Sequence, residues 1–400
     1  MRREAFAVVA ISAVAVIAGA WQVAGKRAPD LPAPFATPSS NNRPHVIKQP
    51  DSAKVILPGG FNAEVWAEGF TTPRFMLQGE HGEILLSDSE GGKVYAFANG
   101  DPKQRKELLS GLGRPYGLAL WHEYLYVGEM LSIKRFKYDP AKFTATDGKE
   151  VLSLANAGGG HWTRSLVFDR EGKKLYVGVG SHGNIDVGDE HRAAINRINP
   201  DGSGAELFAT GLRNPIGLHF YPGTDTLWAV VQERDALGDD LVPDYFTHVE
   251  AKGFYGYPYA YSGKNKEPRC PDQCEPKRAD YQDMIAKSVT PDLLLGAHVA
   301  GLDFTFYTGT QFPAKYRDGA FVAFHGSWNR SKRVGYEIAF VPFKGGKPTS
   351  APEDFMTGFM LSPDSTDVWG RPVGVFQMKD GSLLVSDDGG KKIWRITYKG

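Results

Sequence analysis

The chain has 400 residues, and its 42% content of hydrophobic residues is enough to bury a large core. Lysine plus arginine number 46, as do aspartate plus glutamate, so the formal net charge is zero. A neutral chain without a basic tract lacks the electrostatic footprint of nucleic-acid-binding proteins, and we expect no nucleic-acid partner.

Residues 1–54 differ in composition from the rest of the chain. Arg2 and Arg3 precede an uncharged apolar run, 5–20, which ends in the small residues that signal peptidases prefer. The run is short for a membrane span, so we expect residues 1–26 to be a signal peptide, with an uncleaved N-terminal membrane anchor as the alternative. Residues 27–54 are rich in Pro, Ser and Asn and predict a linker. We therefore expect export to the periplasm or the extracellular space.

From residue 55 to residue 400 a pattern of three short strands recurs six times, with Gly, Asp and Pro turns between the strands. The first strand of a unit follows an opening that resembles Pro-Xaa-Gly-Leu, the second is a hydrophobic run, and the third is rich in β-branched and aromatic residues. The openings lie at Pro73, Pro115, Thr163, Pro215, Val299 and Pro372. Short strands at this period predict an all-β fold, a six-bladed β-propeller that forms one domain.

A cationic or ionisable residue lies close to each opening. These residues are Arg74, Arg114, His161, Arg213, His298 and Arg371. Because the innermost strands of a propeller start around one end of the central channel, they predict a local positive ring that would attract a polyanionic small molecule. For Arg74 and Arg114 we expect pairing with carboxylates of the neighbouring blade instead.

His161 is the first candidate catalytic residue. It follows three glycines, 158–160, which leave room for a molecule close to the backbone. A neutral imidazole near the channel has the pKa range of a general base. A structural histidine is the alternative, but the shared repeat phase with Arg213 favours catalysis.

The longest intervals between openings follow Pro215, and extra chain in a propeller lies on the faces where binding loops collect. The loop 232–240 reads Gln-Glu-Arg-Asp-Ala-Leu-Gly-Asp-Asp. Its acidic side chains and glycine-freed carbonyls suit a hard cation such as calcium. A solvated acidic turn explains the same residues equally well, so both interpretations stay open.

Cys270 and Cys274 are the two cysteines of the chain. In an exported protein a close pair is expected to form a disulfide, here inside a long insertion. A redox or metal-binding pair is the alternative. No second cysteine pair completes a zinc site and no Cys-Xaa-Xaa-Cys-His is present for haem, which favours the disulfide.

The chain resembles the soluble quinoprotein glucose/sorbosone dehydrogenases, which are six-bladed propellers that use pyrroloquinoline quinone with calcium. The likeness runs from about Phe61 to Ile396. It is carried by residues 161–180, 211–215, 233–240, 253–258, 325–330 (His-Gly-Ser-Trp-Asn-Arg) and 371–374. The sorbosone dehydrogenase-like branch is the better match, since Ile216 stands where the glucose-oxidising branch has glutamine.

The resemblance implies oxidation of a sugar or of a sugar-derived aldehyde or alcohol. His161 would take a proton as hydride passes to the quinone, and Arg213 would stabilise the oxygen that becomes negative. The carboxylates of the quinone would be held by Asn214, His298, Arg330, Lys332 and Arg371. Calcium would be held by the loop that contains Glu233, Arg234 and Asp240, partly through backbone carbonyls. A separate electron acceptor, which the sequence does not identify, completes the expected reaction.

Two other functions are compatible with a propeller that carries an acidic loop. One is a calcium-dependent hydrolase of the lactonase type, and the other is a binding platform without catalysis. The arginines favour the dehydrogenase, because a hydrolase has little use for several arginines directed at one polyanion.

Overall fold

The computed structural model describes residues 31–400, so the predicted signal peptide, 1–26, and the start of the predicted linker lie outside the described residues. The regular structure is almost entirely β, in six four-stranded antiparallel sheets. The innermost strand of each sheet contacts the innermost strand of the next, and the sixth contacts the first. The predicted all-β, six-bladed propeller is therefore confirmed.

Each of the first five blades runs along the chain from its innermost to its outermost strand. Blade one comprises Pro73–Gln78, Ile84–Asp88, Lys93–Phe97 and Arg105–Leu109; blade two, Leu118–Trp121, Tyr124–Glu129, Ser132–Asp139 and Thr144–Ser153; blade three, Arg164–Phe168, Leu175–Val179, Ala194–Ile198 and Glu206–Thr210. Blade four comprises Asn214–Phe220, Leu227–Gln232, Pro243–His248 and Leu293–Ala297; blade five, Gly301–Phe306, Ala320–Phe324, Glu337–Val341 and Glu353–Met356.

Blade six joins the two ends of the propeller. Its three inner strands are Pro372–Gln377, Leu383–Asp387 and Lys392–Tyr398, and its outer strand, Phe61–Glu68, comes from before blade one. The outer strand pairs antiparallel with Lys392–Tyr398. The ring is thus closed by hydrogen bonds between strands that lie more than 300 residues apart.

The burial of the second strands explains their sequences. All five residues of Ile84–Asp88, Leu175–Val179, Ala320–Phe324 and Leu383–Asp387 are buried. A strand covered on both faces by neighbouring blades needs apolar residues without alternation. The uninterrupted hydrophobic runs therefore result from packing between blades.

The glycine in the repeated opening has a steric cause. A Cβ at Gly117 would lie 2.4 Å from the carbonyl oxygen of Arg164, and one at Gly374 would lie 2.5 Å from that of Arg74. Both clashes involve the innermost strand of an adjacent blade. Only glycine allows the backbones to approach so closely around the propeller axis.

A hydrophobic cluster fills the central channel beneath the openings. It joins Tyr116, Ile216, Leu302 and Val373 from four innermost segments, with Trp162 packed against them. Ile216 is 2% exposed, so this departure from the glucose-oxidising pattern is part of the core. A site at this end of the channel therefore lies next to an apolar cluster that joins four blades.

The remaining elements lie on the faces of the propeller. They are the helix Tyr281–Lys287, the 3-10 helices Ala98–Gly100, Ala155–Ala157 and Ala314–Tyr316, and short strand pairs at Ala260–Tyr261 with Asn265–Lys266 and Phe343–Lys344 with Lys347–Pro348. None of the helices within residues 31–400 has the length and hydropathy needed to cross a membrane.

The longest insertion, 249–292, separates the third and fourth strands of blade four. Cys270 and Cys274 form a disulfide there, with their Cα atoms 5.1 Å apart, as predicted. Both cysteines are buried in a small cluster with Tyr259 and Ile285. The disulfide thus has a structural position in the core of the insertion.

Residues 31–54 differ from the unpacked linker that their composition predicts. His45–Val46 pairs in parallel with Asp367–Val368. The side chain of Asn42 bonds to the backbone of Arg330 and Ser331. This segment is held to the propeller because its polar groups meet partners in loops far along the chain.

Candidate active site

A cavity of about 190 Å³ lies at the end of the channel where the innermost strands begin. Its lining residues come from blades three, four and five: His161, Arg213, Gln232, Glu233, Asp235, Asp244, His298, Ala300, Trp328 and Asn329. Four of the residues predicted from the sequence, His161, Arg213, Glu233 and His298, are thus brought together around one space.

His161 is oriented by blade three. Its Nδ1 donates to the carbonyl oxygen of Ser181 at 2.9 Å, an atom that can only accept, so the neutral ring carries its proton on Nδ1. Burial and the nearby Arg213 cation lower the pKa of His161 to about 3. The imidazole is therefore neutral, and Nε2 keeps its lone pair for a proton.

Of the three glycines before His161, Gly160 does not have the predicted role of leaving room for a ligand. A Cβ at Gly160 would lie 2.2 Å from the carbonyl oxygen of His182, and Gly160 has a φ of +58°. The glycine is required because the backbone turns tightly against the loop of blade three. Gly160 affects the site indirectly, because the tight turn that it allows positions the backbone of the next residue, His161.

Arg213 is fixed by four acceptors. It donates to the carbonyl oxygen of Glu233 at 2.7 Å, to the carbonyl and side-chain oxygens of Asn184 at 3.2 Å each, and to Asp235 at 3.4 Å. Its side chain is 7% exposed. The guanidinium is therefore held in one position beside His161, in a cavity lined mainly by polar and charged side chains.

The side chain of Arg234 forms structural contacts. Its fully buried guanidinium bonds to Glu233 at 2.9 Å and to the carbonyl oxygens of Pro258 and Ala260 at 2.7 and 2.6 Å. These contacts attach the long insertion to the loop of blade four. The side chain of Arg234 therefore supports the site from behind.

The cavity has an acidic side. Asp244 accepts from the backbone N–H groups of Glu233 and Ala300, both at 2.7 Å, and burial raises the pKa of Asp244 to about 7. Oε1 of Glu233 is buried without a partner in residues 31–400. The other carboxylate oxygen of Glu233 is paired with Arg234, so Oε1 alone lacks a partner. A buried oxygen without a hydrogen-bond partner costs free energy that a bound ligand could recover.

The three residues predicted to hold a metal are not brought together. Asp240 is 58% exposed and forms an ion pair with Arg330 at 2.8 Å, on the rim outside the cavity. Arg234 lies behind the cavity, and only Glu233 faces it. Throughout the described chain, no group of three or more His, Cys, Asp or Glu side chains is arranged to hold a metal ion.

The residues predicted to hold quinone carboxylates lie at different depths. Lys332 is 71% exposed and lies 3.5 Å from Asp364, which places it outside the cavity. Asn214 donates to Gln232 at 3.0 Å, and its own oxygen is buried without a described partner. His298 donates Nε2–H to the carbonyl oxygen of Gly238 at 3.0 Å.

Arg371 directly precedes the innermost strand of blade six, and its side chain contacts blade five. Its Nε donates to the carbonyl oxygen of His325 at 3.3 Å, and its guanidinium lies 5.9 Å from the ring of Tyr336. It forms no salt bridge with any described carboxylate, unlike Arg213 and Arg330. Of Arg213, Arg330 and Arg371, Arg371 is therefore the one without a salt bridge, although the nearby carboxylate of Asp388 acts on its charge.

The expected pairing of Arg74 and Arg114 is confirmed. Arg74 forms a salt bridge with Asp388 of blade six at 2.7 Å, and Arg114 pairs with Glu90 of blade one. Both guanidinium groups also lie over the ring of Trp162, at 5.3 and 4.2 Å. These two arginines stabilise contacts between adjacent blades.

A family model described as TrAA12-like matches residues 55–399, which is nearly the whole described propeller. The chain belongs to the TrAA12-like family. An uncharacterized protein of Borreliella burgdorferi is 30% identical over 356 residues, which cover 86% of this chain and 90% of that protein. A pyrroloquinoline quinone-dependent pyranose dehydrogenase of Coprinopsis cinerea is 26% identical over 314 residues, 65% of this chain but 42% of that longer protein.

Solved structures share the fold of this TrAA12-like chain. The holo form of the pyranose dehydrogenase PQQ domain from Coprinopsis cinerea superposes with a TM-score of 0.74 at 23% identity, over 87% of this chain and 98% of that one. The calcium structure of Trichoderma reesei AA12 gives 0.73 at 21% identity, covering 89% and 99%. The apo soluble aldose sugar dehydrogenase of Escherichia coli gives 0.64 at 18% identity, covering 85% and 100%. The predicted membership in the soluble quinoprotein sugar dehydrogenases is confirmed at the level of the family.

Residues at the TrAA12-like cavity and near its end of the channel offer partners to a cation and to an anion. The unpartnered oxygens of Glu233 and Asn214 suit a hard cation such as calcium, which takes oxygen ligands. Arg371, without a carboxylate partner, suits a carboxylate of an anionic cofactor.

Sequence reasoning assigned no role to several residues that line the TrAA12-like cavity: Gln232, Asp235, Asp244, Trp328 and Asn329. Asp235 was one of several acidic residues in the loop of blade four, with nothing to distinguish it. Trp328 and Asn329 belong to the His-Gly-Ser-Trp-Asn-Arg run, whose polar residues between two strands were the available signal.

Proposed function

We propose that the protein is an oxidoreductase that oxidises a sugar or a sugar-derived aldehyde or alcohol, with pyrroloquinoline quinone and calcium as cofactors. The observation that carries this proposal is the pair formed by His161 and Arg213, a neutral base with a free Nε2 beside a fixed cation in one cavity. The pyranose dehydrogenase relative, which is quinone-dependent by name, supports the same chemistry.

In this proposal His161 accepts the proton that leaves the substrate hydroxyl. Its Nδ1–H stays bonded to Ser181, so the proton goes to Nε2. The pKa of about 3 keeps Nε2 unprotonated throughout the physiological pH range, and it also makes Nε2 a weaker base than a free imidazole. When bound, the quinone supplies the acceptor for the hydride that leaves the substrate carbon.

Arg213 stabilises the negative charge that develops on the substrate oxygen. Its N–H groups are already bonded to Glu233, Asn184 and Asp235, so the guanidinium does not have to move during the reaction. Because the side chain of Arg213 is only 7% exposed, solvent screens its charge less than that of a surface arginine.

Arg371 would hold a carboxylate of the quinone, and Glu233 would supply a ligand to calcium through Oε1. The other calcium ligands would be backbone carbonyls and the side-chain oxygen of Asn214, because the carboxylate of Asp240 is paired with Arg330. Export from the cytoplasm and transfer of electrons to a separate acceptor belong to the same proposal.

The test begins with metal-stripped protein incubated with the quinone and calcium. Reduction of an artificial dye is then followed across a panel of aldoses, polyols and aldehydes, with a control that omits the quinone. We expect dye reduction that requires both the quinone and a sugar. If no substrate reduces the dye and the quinone leaves the melting temperature unchanged, the proposal is wrong, and lactone hydrolysis with calcium alone would support the hydrolase instead.

The metal assignment has its own test, which needs no turnover. We expect calcium to raise the melting temperature of the wild type and of Asp240→Asn but to have little effect on Glu233→Gln. The comparison is matched, because both changes remove one carboxylate from the same loop. A calcium response lost in Asp240→Asn and kept in Glu233→Gln would contradict the assignment.

A further inference from the structure

The segment 31–46, called the N-terminal strap below, contacts two loops of the cavity before the chain enters blade six. The strap lies outside residues 55–399, which the family model matches. Its contacts with the propeller therefore involve residues outside the part of the chain that the family model matches.

The first contact is with the loop of blade four. The backbone N–H of Phe35 donates to the carbonyl oxygen of Leu237 at 2.8 Å, and Oγ1 of Thr37 accepts from the N–H of Asp239 at 2.7 Å. The residue between them, Gly238, accepts from His298 in the wall of the cavity. The strap is thus bonded to a loop that is itself hydrogen-bonded to a residue of the cavity wall.

The second contact is with the loop of blade five that follows His325. The backbone N–H of Asn42 donates to the carbonyl oxygen of Trp328 at 2.7 Å. Its side-chain amide donates to the carbonyl oxygens of Arg330 and Ser331 at 3.1 and 3.0 Å and accepts from Arg333 at 2.8 Å. Arg43 lies 5.7 Å from the ring of Trp328. Both donors and the acceptor of the Asn42 side chain are used.

Trp328 needs this support because its own packing is weak. It lines the cavity but is 39% exposed, which is unusual for so large an apolar side chain. A half-exposed ring on a loop is positioned mainly by its backbone. The backbone of Trp328 is bonded to Asn42 of the strap.

We infer that the strap is part of the active site and that Asn42 is a positioning residue, which sets the place of Trp328 and so the shape of the substrate end of the cavity. The role in substrate binding rests on the proposed sugar oxidation. The coupling between the strap and the two loops is independent of the proposed sugar oxidation.

The test compares Asn42→Ala with Asn41→Ala in the full chain. Asn41 is the exposed neighbour, and its side chain has no described partner, so it controls for loss of an asparagine in the strap. For Asn42→Ala we expect faster amide hydrogen exchange in residues 327–333. We also expect KM for the oxidised sugar to rise on the order of tenfold, with kcat changed less than about twofold.

Thr37→Val provides a second variant if Asn42→Ala fails to fold. It removes one hydrogen bond with little change in shape, and we expect faster exchange in residues 237–240 and a smaller rise in KM. Exchange and KM equal to those of Asn41→Ala would overturn the inference, as would equal losses of kcat and kcat/KM. If the wild type oxidises no sugar, the proposed function fails and the exchange rates alone decide whether the strap organises the loops.

Discussion

His161 shows how a single residue acquires a chemical role from its surroundings. A carbonyl oxygen fixes its tautomer, and burial together with a neighbouring cation keeps it neutral. These conditions leave one free lone pair in a cavity that also holds a fixed arginine. A histidine that only filled space would not need its second nitrogen directed into a cavity.

His161→Ala should separate proton transfer from cofactor binding. We expect the rate of dye reduction to fall by on the order of 10²–10⁴-fold, the usual contribution of general base catalysis. The quinone should still raise the melting temperature, because His161 is not among the groups that would hold it. His182→Ala is the matched control, since His182 is 52% exposed and pairs with Asp186 outside the cavity. Lost quinone binding or unchanged turnover would each contradict the role of His161.

The sequence predicts some residues of the site because they share a position in the repeat. His161, Arg213 and His298 each precede an innermost strand, and the fold gathers the starts of those strands at one end of the channel. The partners of the acidic residues were not predictable in this way. Whether Asp235, Asp240 or Asp244 meets an arginine, a backbone N–H or open space depends on loops from other blades.

At the scale of a single element, the third strand of blade five begins with an acidic residue whose ionisation is unfavourable in the folded protein. Glu337 lies close to Asp354 of the neighbouring outer strand, and burial together with that second carboxylate raises the pKa of Glu337 to about 7. Ionisation of Glu337 therefore costs more free energy in the folded protein than in the unfolded chain. Its stabilising contribution is present at low pH and is lost as the pH rises through 7.

Glu337→Gln should remove this pH dependence. Near pH 5 we expect little difference from the wild type, whereas at pH 8.5 the variant should be more stable by about 1–3 kcal/mol, as a pKa shift of this size predicts. Equilibrium denaturation at the two pH values measures the effect. Glu64→Gln, at an exposed strand position, is the control and should behave alike at both. A variant that is destabilised at pH 8.5 would show that the carboxylate forms a favourable contact.

The strands differ in how well the sequence predicts them. Second strands are buried on both faces, so their apolar runs stand out. In the openings that contain glycine, such as those with Gly117 and Gly374, the glycine marks the close approach of two blades. The fourth strands were not predicted. Arg105–Leu109 and Thr144–Ser153 are mostly exposed, so their hydrophobic signal is weak. The packing of residues 31–54 was missed because composition carries no information about distant partners.

At the scale of the whole molecule, the propeller is closed by the pairing of two strands from opposite ends of the chain. The six units were countable because each repeats a local pattern, but closure requires Phe61–Glu68 to find a partner at the far end of the chain. Such non-local pairing stabilises the ring only after the intervening blades have formed.

The variant Phe61→Ala tests whether aromatic packing stabilises this closure. Phe61 packs against Phe312, Tyr316 and Phe355 of blade five and against Tyr398 of blade six, at ring-centroid distances of 4.8, 5.3, 5.0 and 4.8 Å. Because one side chain joins two blades, we expect its truncation to lower the free energy of unfolding by about 2–4 kcal/mol. Val65→Ala, on the same strand but 43% exposed, should cost less than about 0.5 kcal/mol. Equal losses of stability in the two variants, measured by equilibrium denaturation, would mean that backbone pairing alone closes the ring. A larger loss for Phe61→Ala would show that the aromatic cluster fixes the last blade to its neighbour.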